Sequence, residues 1–450
     1  MKIVIIGAGT VGGAVCAQLS GEHHDITVVD TDEAAISMLA DQYDVYTVPG
    51  NGADVSVLLK AGAEKAELLI AMTPSDELNL LCCAAARKLG TKHTVARIRN
   101  PEYKELMQLL KSEMNLSRVV NPELSAAKEI YRSLRFPAAA KVETFCHGRV
   151  ELAEFTLAED SPICGMSLIE LRNKWNIRFL ICAVGRGEEV FVPSGHFVLQ
   201  SGDVICVTAP ETEIPRFFKE AGAFKMPVRN ILVAGGGRIS YYLQELLQKT
   251  RIRSTVIEED PALCREMAEQ FSCTVINSDA AEQEVLLEQG LESTDAYIAL
   301  SDRDEENAIT SMYARNRGVE KVITLIRKRN HSDIYKNAGL QTVVSPKDST
   351  ATYLLRYVRA LANVRGSEIE SLYKIMGGKV EAVEFLVKED LPGLTNTPLK
   401  KLELHKGILI ACIVHEDQIV IPSGDDKIEN GDTVIVIAAG GQLKGIKDII

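Results

Sequence analysis

Short β-branched runs alternate with amphipathic stretches over the first 136 residues. Residues 2–6, 26–29, 45–48, 68–71, 94–98 and 118–120 predict strands, and residues 11–19 and 77–89 predict helices between them. That alternation predicts a parallel sheet covered by helices on both faces, with strand order 3-2-1-4-5-6. A further helix is predicted from about residue 122 to 134, broken at Arg135-Phe136-Pro137. From residue 141 the pattern changes. Residues 150–157, 179–184, 190–192 and 204–207 predict strands, with turns at Gly185-Arg186-Gly187 and Ser201-Gly202-Asp203. Only residues 167–174 predict a helix there, so this part reads as a small α+β module of βαββ type.

The same pattern then returns. Gly7-Ala8-Gly9 recurs as Gly235-Gly236-Gly237, an offset of 235 − 7 = 228, and that offset also carries Asp30 onto Glu258, Asp76 onto Asp304, Asn79 onto Asn307 and Arg99 onto Arg327. Pro193-Ser194-Gly195 recurs as Pro422-Ser423-Gly424, and Gly202-Asp203 as Gly431-Asp432, both at 229. Chance does not hold an offset so steady across unrelated element types, so the chain is a tandem duplication. Four domains are expected: α/β, doubly wound, Rossmann-like units over 1–136 and 228–362, each followed by a small α+β module, 141–222 and 373–450. The stretch 221–227 is expected to link the halves.

The 450 residues are too many for one core, which agrees with four domains. A net charge of −12 argues against a nucleic-acid surface, which needs a Lys/Arg excess. No apolar run reaches the roughly 18 residues that span a membrane, so any work at a membrane is expected to go through a partner. The ten cysteines show no C-x-x-C and no zinc spacing, and are expected to be buried and reduced, with Cys82 and Cys83 pointing to different sides of a helix.

Gly7-Ala8-Gly9-Thr10-Val11-Gly12 follows the first strand directly and opens a helix. A G-x-G-x-x-G run is weak alone, but this context is the one a dinucleotide needs. Gly7 allows the tight turn, Gly9 lets a pyrophosphate approach the backbone, and Gly12 lets the helix pack close to the strand. The helix start offers N–H groups and the positive end of its dipole. Asp30, ending the second strand, is placed for ribose hydroxyls, and its charge disfavours a 2′-phosphate. Gly50-Asn51-Gly52-Ala53 follows the third strand and suits the adenine side. Thr73 suits ligand contact after the fourth strand, while Ser75 and Asp76 suit capping of the next helix. Arg97 and Arg99 end the fifth strand and are expected on different faces, one reaching phosphates and the other a surface or interface charge.

The second copy keeps Gly235, Gly236 and Gly237, but Ser240 replaces Gly12, Tyr241 replaces Gly13, and Glu258 replaces Asp30. Arg238 and Ile239 replace Thr10 and Val11, and Arg238 is placed either for phosphate or for a partner subunit. Asp279 and Ser301 stand where Asn51 and Thr73 stood. Three readings fit: a weaker site, a site for another nucleotide, or a vestige. No metal-binding constellation is expected.

A dehydrogenase is the competing reading, and it needs an acid or base beside the nicotinamide. None of the eight histidines repeats at the shared offset. His23, His24, His93, His147, His196, His331, His405 and His415 join no Cys/Asp constellation, and no nucleophile elbow, H-E-x-x-H or Walker phosphate loop is present. The chain is therefore expected to bind a nucleotide as a signal, and not to be an enzyme.

These residues resemble a known family. Residues 7–12, Asp30, 50–53, 66–73 with Asp76 and Asn79, and Ala96-Arg97-Ile98-Arg99 resemble the KTN/RCK domain, which regulates conductance in potassium channels and transporters. The βαββ modules, with Val192-Pro193-Ser194-Gly195 and Ser201-Gly202-Asp203, resemble the RCK C-terminal (TrkA-C) domain. The tandem order over nearly the whole chain resembles the TrkA family, cytosolic subunits of bacterial Trk potassium-uptake systems. The resemblance implies a ring-like homo-oligomer, a tetramer, docked on a TrkH-type membrane subunit at the inner face of the plasma membrane. It also implies that NAD(H) and ATP or ADP bind the Rossmann units and alter the ring.

Overall fold

Strands β1 (Lys2–Ile6), β2 (Asp25–Asp30), β3 (Tyr46–Pro49), β4 (Leu68–Ala71), β5 (His93–Arg97) and β6 (Arg118–Val120) form one sheet in the order β3-β2-β1-β4-β5-β6. Every pairing in it is parallel, as the alternation of runs predicts. The structure is a computed structural model that describes all residues except 23, 104–105, 108–115, 137–138, 140, 147–148, 211, 224–227, 328–334, 336–338, 341, 364–368, 417, 441–442 and 444. His23, His147, His331, Pro137 and part of the 221–227 stretch therefore lie outside the described residues.

Helices on both faces make β4 buried along its length and β1 buried after Lys2, whereas β3 at the edge is half exposed. The connecting helices are α1 (Thr10–Ser20), α2 (Glu33–Gln42), α3 (Val55–Lys60) and α4 (Asp76–Leu89), and α5 (Pro122–Arg135) follows β6. The chain order reverses between β1 and β4, so the ends of those strands open a crevice where ligands bind in such sheets. Cys82 and Cys83 are both fully buried in α4, as expected of these thiols, and burial pushes the Cys82 thiol up to about 11.

The first module contains β7 (Lys141–Phe145), β8 (Val150–Thr156), β9 (Leu180–Arg186), β10 (Glu189–Phe191) and β11 (Val204–Pro210), an antiparallel sheet in the order β10-β9-β11-β8-β7. The predicted helix is present as Leu168–Lys174, started by a capping box between Ser167 and Glu170. A second helix, Ile214–Glu220, corrects the expectation of a single one. Its Pro215 lies in the first helical turn, where the missing N–H costs nothing, so it starts the helix instead of breaking it. Phe217 and Phe218 from that helix pack edge-on against Phe155 in the module core.

The second half repeats the plan. β12 (Asn230–Ala234), β13 (Arg253–Glu258), β14 (Thr274–Asn277), β15 (Ala296–Ala299), β16 (Lys321–Leu325) and β17 (Thr342–Val344) stand in the order β14-β13-β12-β15-β16-β17. β18 (Ile369–Ile375), β19 (Val380–Leu386), β20 (Ile408–His415), β21 (Gln418–Val420) and β22 (Thr433–Ala439) form the sheet β18-β19-β22-β20-β21. Where the first module has Leu168–Lys174, the second has only the one-turn 3₁₀ segment Leu399–Lys401. Among the described residues no helix is long and apolar enough to cross a membrane.

The chain divides into two compact units, Met1–Tyr131 with Arg229–Leu355 and Arg132–Val228 with Arg356–Ile450. In the first, the Tyr242 hydroxyl donates to the Arg99 carbonyl at 2.8 Å and lies 2.8 Å from Asn121 Nδ2, joining the two Rossmann-like sheets' surroundings. In the second, the two modules share one apolar core that includes Phe145, Leu152 and Cys182 from one and Ile375, Ala382 and Ile437 from the other. Cys146 and Met376, both held at positive φ, are bound reciprocally: Cys146 N–H donates to Glu384 Oε1 at 3.0 Å, and Met376 N–H to Glu154 Oε1 at 2.9 Å. A carboxylate from each module thus fixes a strained turn in the other.

The two modules differ at one buried ion pair. Arg186 donates twice to Asp203, which is fully buried, at 2.8 Å each. At the same place the second module has His415, whose Nδ1 lies 2.6 Å from Oδ1 of the buried Asp432. The hydrogen bond to Asp432 and that group's charge raise the imidazole pKa, with Glu429 and Glu416 adding to it. A raised pKa means that the stabilisation is complete below the unfolded value of about 6.5 and disappears as pH rises through the folded value. The protein is expected to lose melting temperature between slightly acidic and alkaline pH, and His415→Arg to flatten that loss, because an arginine stays charged. Parallel melting curves of the two proteins at both pH values are the check; equal losses contradict the assignment.

Candidate functional site

The loop between β1 and α1 is built by three constraints. Gly7 has φ of 103°, and a Cβ there would lie 2.9 Å from the Met72 carbonyl carbon, so the turn is pressed against the end of β4. At Gly12 a Cβ would lie 1.8 Å from the Gly7 carbonyl oxygen. Gly9 is different. It is the N-cap of α1, no side chain caps the helix, and nothing lies within 4 Å of where its Cβ would stand. Open room therefore faces helix-start N–H groups, at Thr10 and Val11, that the protein itself does not cap.

Asp30 closes the side of this cradle. Its Oδ2 accepts the Ala8 N–H at 2.6 Å and its Oδ1 the Asp32 N–H at 3.0 Å. Each carboxylate oxygen keeps acceptor capacity beyond one such bond. Asn51 Oδ1 accepts the Ala53 N–H at 2.9 Å, making a local turn, and the Gly50 N–H donates to the Asp30 carbonyl, which ties that turn to β2. Gly52 is required by packing: a Cβ would lie 2.2 Å from Ile6 Cγ2. The ends of β1, β2, β3 and β4 thus bring Gly7, Ala8, Gly9, Asp30, Asn51, Gly52 and Thr73 to one edge of the sheet.

Several residues have structural duties that sequence spacing does not reveal. Ser75, not Asp76, caps α4, accepting the Leu78 N–H at 3.1 Å. Asp76 is buried and instead accepts the Arg99 and Asn100 N–H groups at 2.8 Å each, holding the chain that leaves β5. Thr73 is buried, and its hydroxyl points to Ser75 O and Asn79 Oδ1. Asn79, wholly buried, accepts the Thr73 N–H and donates to the Thr73 and Arg97 carbonyls. Asn307 makes the same ties to Ser301 and Leu325, and Asp304 the same ties to Arg327. The only sequence signal for this was their exact repetition at 228.

Arg97 and Arg99 do not diverge. Arg97 donates to the Thr73 carbonyl and Arg99 to the adjacent Pro74 carbonyl, each at 2.6 Å. Residues two apart along an extended chain point the same way, so both guanidinium groups meet the β4–α4 loop. Burial pushes the Arg97 guanidinium below its ordinary value, and the Arg99 charge adds to that; the Arg238 charge also reaches it. Arg99 additionally stands 3.8 Å from both Asp76 and Glu123.

The second copy reproduces the frame with altered parts. Gly235 has φ of 108° and packs on Leu300 as Gly7 does on Met72. Glu258 accepts the Gly236 N–H through Oε2 and the Asp260 N–H through Oε1 at 2.9 Å. A Cβ at Gly236 would lie 2.9 Å from Glu258 Cγ, so the longer acid and the loss of the alanine methyl go together. Ser240 is fully buried where Gly12 stood. A Cβ 1.8 Å from a carbonyl is impossible, so loop and helix stand farther apart here than in the first copy. Gly235, Gly237, Glu258, Asp279 and Ser301 line an open cleft. Arg238 and Ile239 are not among its lining residues, and Ile239 is buried in the core.

Residues 3–122 and 231–346 match the TrkA-N domain family, and residues 152–222 and 382–450 match the TrkA-C domain family. The chain is 30% identical to the Trk system potassium uptake protein TrkA homolog 2 of Methanosarcina mazei, covering 100% of both chains. It is 29% identical to the Trk system potassium uptake protein TrkA of Azorhizobium caulinodans, covering 100% of this chain and 98% of that one. Among solved structures, the GsuK channel bound to NAD superposes with a TM-score of 0.63 at 18% identity over 98% of this chain and 77% of that chain. The GsuK RCK domain gives 0.62 at 18% identity over 98% and 92%. With matched domains in duplicate and full-length relatives at that identity, this chain belongs to the TrkA family of Trk-system potassium-uptake proteins.

Proposed function

We propose that the chain is a nucleotide-sensing regulatory subunit of a Trk-type potassium-uptake system. The observation that carries the reading is the first cradle: an uncapped helix start, open room over Gly9, and Asp30 beside them. The Gly7–Gly12 turn and the N–H groups of Thr10 and Val11 would hold a pyrophosphate, and Asp30 an adenosine ribose. Arg97 and Arg99 would sense the phosphate end through the β4–α4 loop they grip, with Thr73 positioned between them and Gly7. NAD(H), ADP and ATP share the adenosine diphosphate part that these residues suit. The second loop, with Gly235, Gly236, Gly237, Arg238, Ile239, Glu258, Asp279 and Ser301, would form a second and altered site.

The chain supplies no catalytic step in this reading. Its four parts, 1–136, 141–222, 228–362 and 373–450, would act as a gating assembly, a homotetrameric ring at the cytoplasmic face of the membrane, bound to a TrkH-type subunit. A nucleotide biases such a ring only by binding two of its conformations with different affinity, and that difference caps the gating energy. Asp30→Ala is expected to weaken NAD or ADP binding at the first site by about 10- to 100-fold, the loss of a charged hydrogen-bonding partner. Potassium uptake in cells carrying the variant should lose its response to nucleotide. Unchanged calorimetric affinity together with unchanged uptake overturns the assignment.

A further inference from the structure

The duplication supplies an internal comparison between the two clefts. The second is an open cleft at the ends of β12, β13 and β15, lined among others by Gly235, Glu258, Asp279 and Ser301. Relative to the first, at the 228-residue offset, Thr31 becomes Glu259, Asn51 becomes Asp279, Pro74 becomes Asp302 and Leu78 becomes Glu306. Against these four acids stands one new base, Arg303 for Ser75, so the lining is 4 − 1 = 3 charges more negative. At the phosphate end Arg238 replaces Thr10 while Leu325 replaces Arg97, which cancels.

Two arginines beside this cleft, Arg303 and Arg327, are already engaged. Arg303 is bonded to Glu306, and the charges of Glu259 and Asp279 act on it as well, from the ends of the neighbouring strands. Arg327 is 2.7 Å from Asp302, a partner its first-copy counterpart, Arg99, lacks because Pro74 is there. A highly charged phosphate chain entering here would meet acids, and would have to displace acids from the arginines before either could serve it. Screening by salt lessens such repulsion, so it carries its own signature.

We infer that the second cleft selects its nucleotide by charge, accepting NAD, in which the nicotinamide cation offsets one phosphate, and turning away ADP and ATP. This rests on the reading that both glycine loops hold adenine nucleotides. The test is calorimetric titration of the full chain with NAD, ADP and ATP. Wild type should take two NAD per chain but one ADP or ATP. Asp30→Ala should retain one NAD site whose affinity for ADP is at least about tenfold weaker, with ATP weaker still. ADP binding at that site should strengthen as salt rises from about 50 to about 300 mM. Adding Asp302→Asn and Glu306→Gln to Asp30→Ala should restore ADP binding by about tenfold or more, with the melting curve confirming an intact fold.

Two equivalents of ADP on wild type, or ADP binding at the retained site that equals NAD or weakens with salt, overturns the inference. Asp30→Ala chain that binds no nucleotide overturns it too, and leaves the first site standing. A wild-type chain that binds no nucleotide at all defeats the functional reading beneath it.

Discussion

Gly12→Ala is expected to unseat the nucleotide loop, whereas Gly9→Ala, three residues away, is expected to leave the fold alone and still abolish binding. At Gly12 the added methyl would lie 1.8 Å from the Gly7 carbonyl oxygen, so α1 must back away from β1 by more than 1 Å. Overpacking of this kind costs about 1–3 kcal/mol of stability. Moving the helix start also moves the N–H groups aimed at phosphate, and nucleotide affinity should fall on the order of 100-fold, about 2.8 kcal/mol. At Gly9 the methyl meets nothing within 4 Å and φ is −65°, so the melting temperature should not change. The same methyl fills the room a phosphate would use. Melting curves and titrations on the two variants separate the effects. A stable Gly12→Ala protein, or a Gly9→Ala protein that binds normally, contradicts this account of the loop.

Asn79→Ala is expected to be the most destabilising single change in the first half. Its side chain, with no exposed surface, satisfies the Thr73 N–H and the carbonyls of Thr73 and Arg97, and receives the Thr73 hydroxyl. Deleting it strands several buried groups at about 1–3 kcal/mol each, partly relieved by water, for a total on the order of 4 kcal/mol. The ends of β4 and β5 would separate, so the loop gripped by Arg97 and Arg99 should lose its position and nucleotide binding should weaken in parallel. Asn79→Asp keeps the shape but turns two donated bonds into repulsive contacts with carbonyl oxygens, and should be nearly as harmful. Denaturant titration and hydrogen exchange at Thr73 are the measurements. A loss below about 1 kcal/mol would mean that the clasp is not what joins the strands.

Those two residues mark the boundary of what is legible in the sequence. The glycine loop, the strand order and the acid ending β2 follow from local spacing, because each depends on neighbours within one strand-turn-helix unit. Asn79 and Asp76 act across 18 to 24 residues on backbone groups, and a residue's partners at that range depend on how strands lie side by side. Their polar character before and within a helix reads equally as capping. The shared direction of Arg97 and Arg99 has a simpler cause, since side chains two apart along a strand share a face. The helix Ile214–Glu220 is hard to read in the sequence because a proline early in a short segment also fits a break until its place in the first turn is known. The first cleft and the second are also not equally legible. The substitution of Ala8 by Gly236 looks neutral until Glu258 is seen folded over it.

The reciprocal binding of Cys146 by Glu384 and of Met376 by Glu154 has the form of an isologous dimer contact. In a dimer of separate identical chains, every mutation arrives twice and must suit both sides of the axis at once. Here the two sides are encoded apart, so one can change while the other holds. Arg186 in one half where the other has His415, and Asp30 with Ala8 where the other has Glu258 with Gly236, are differences that two identical chains could not carry. Dilution, which dissociates ordinary dimers, also leaves this pair together, because its partners share one backbone.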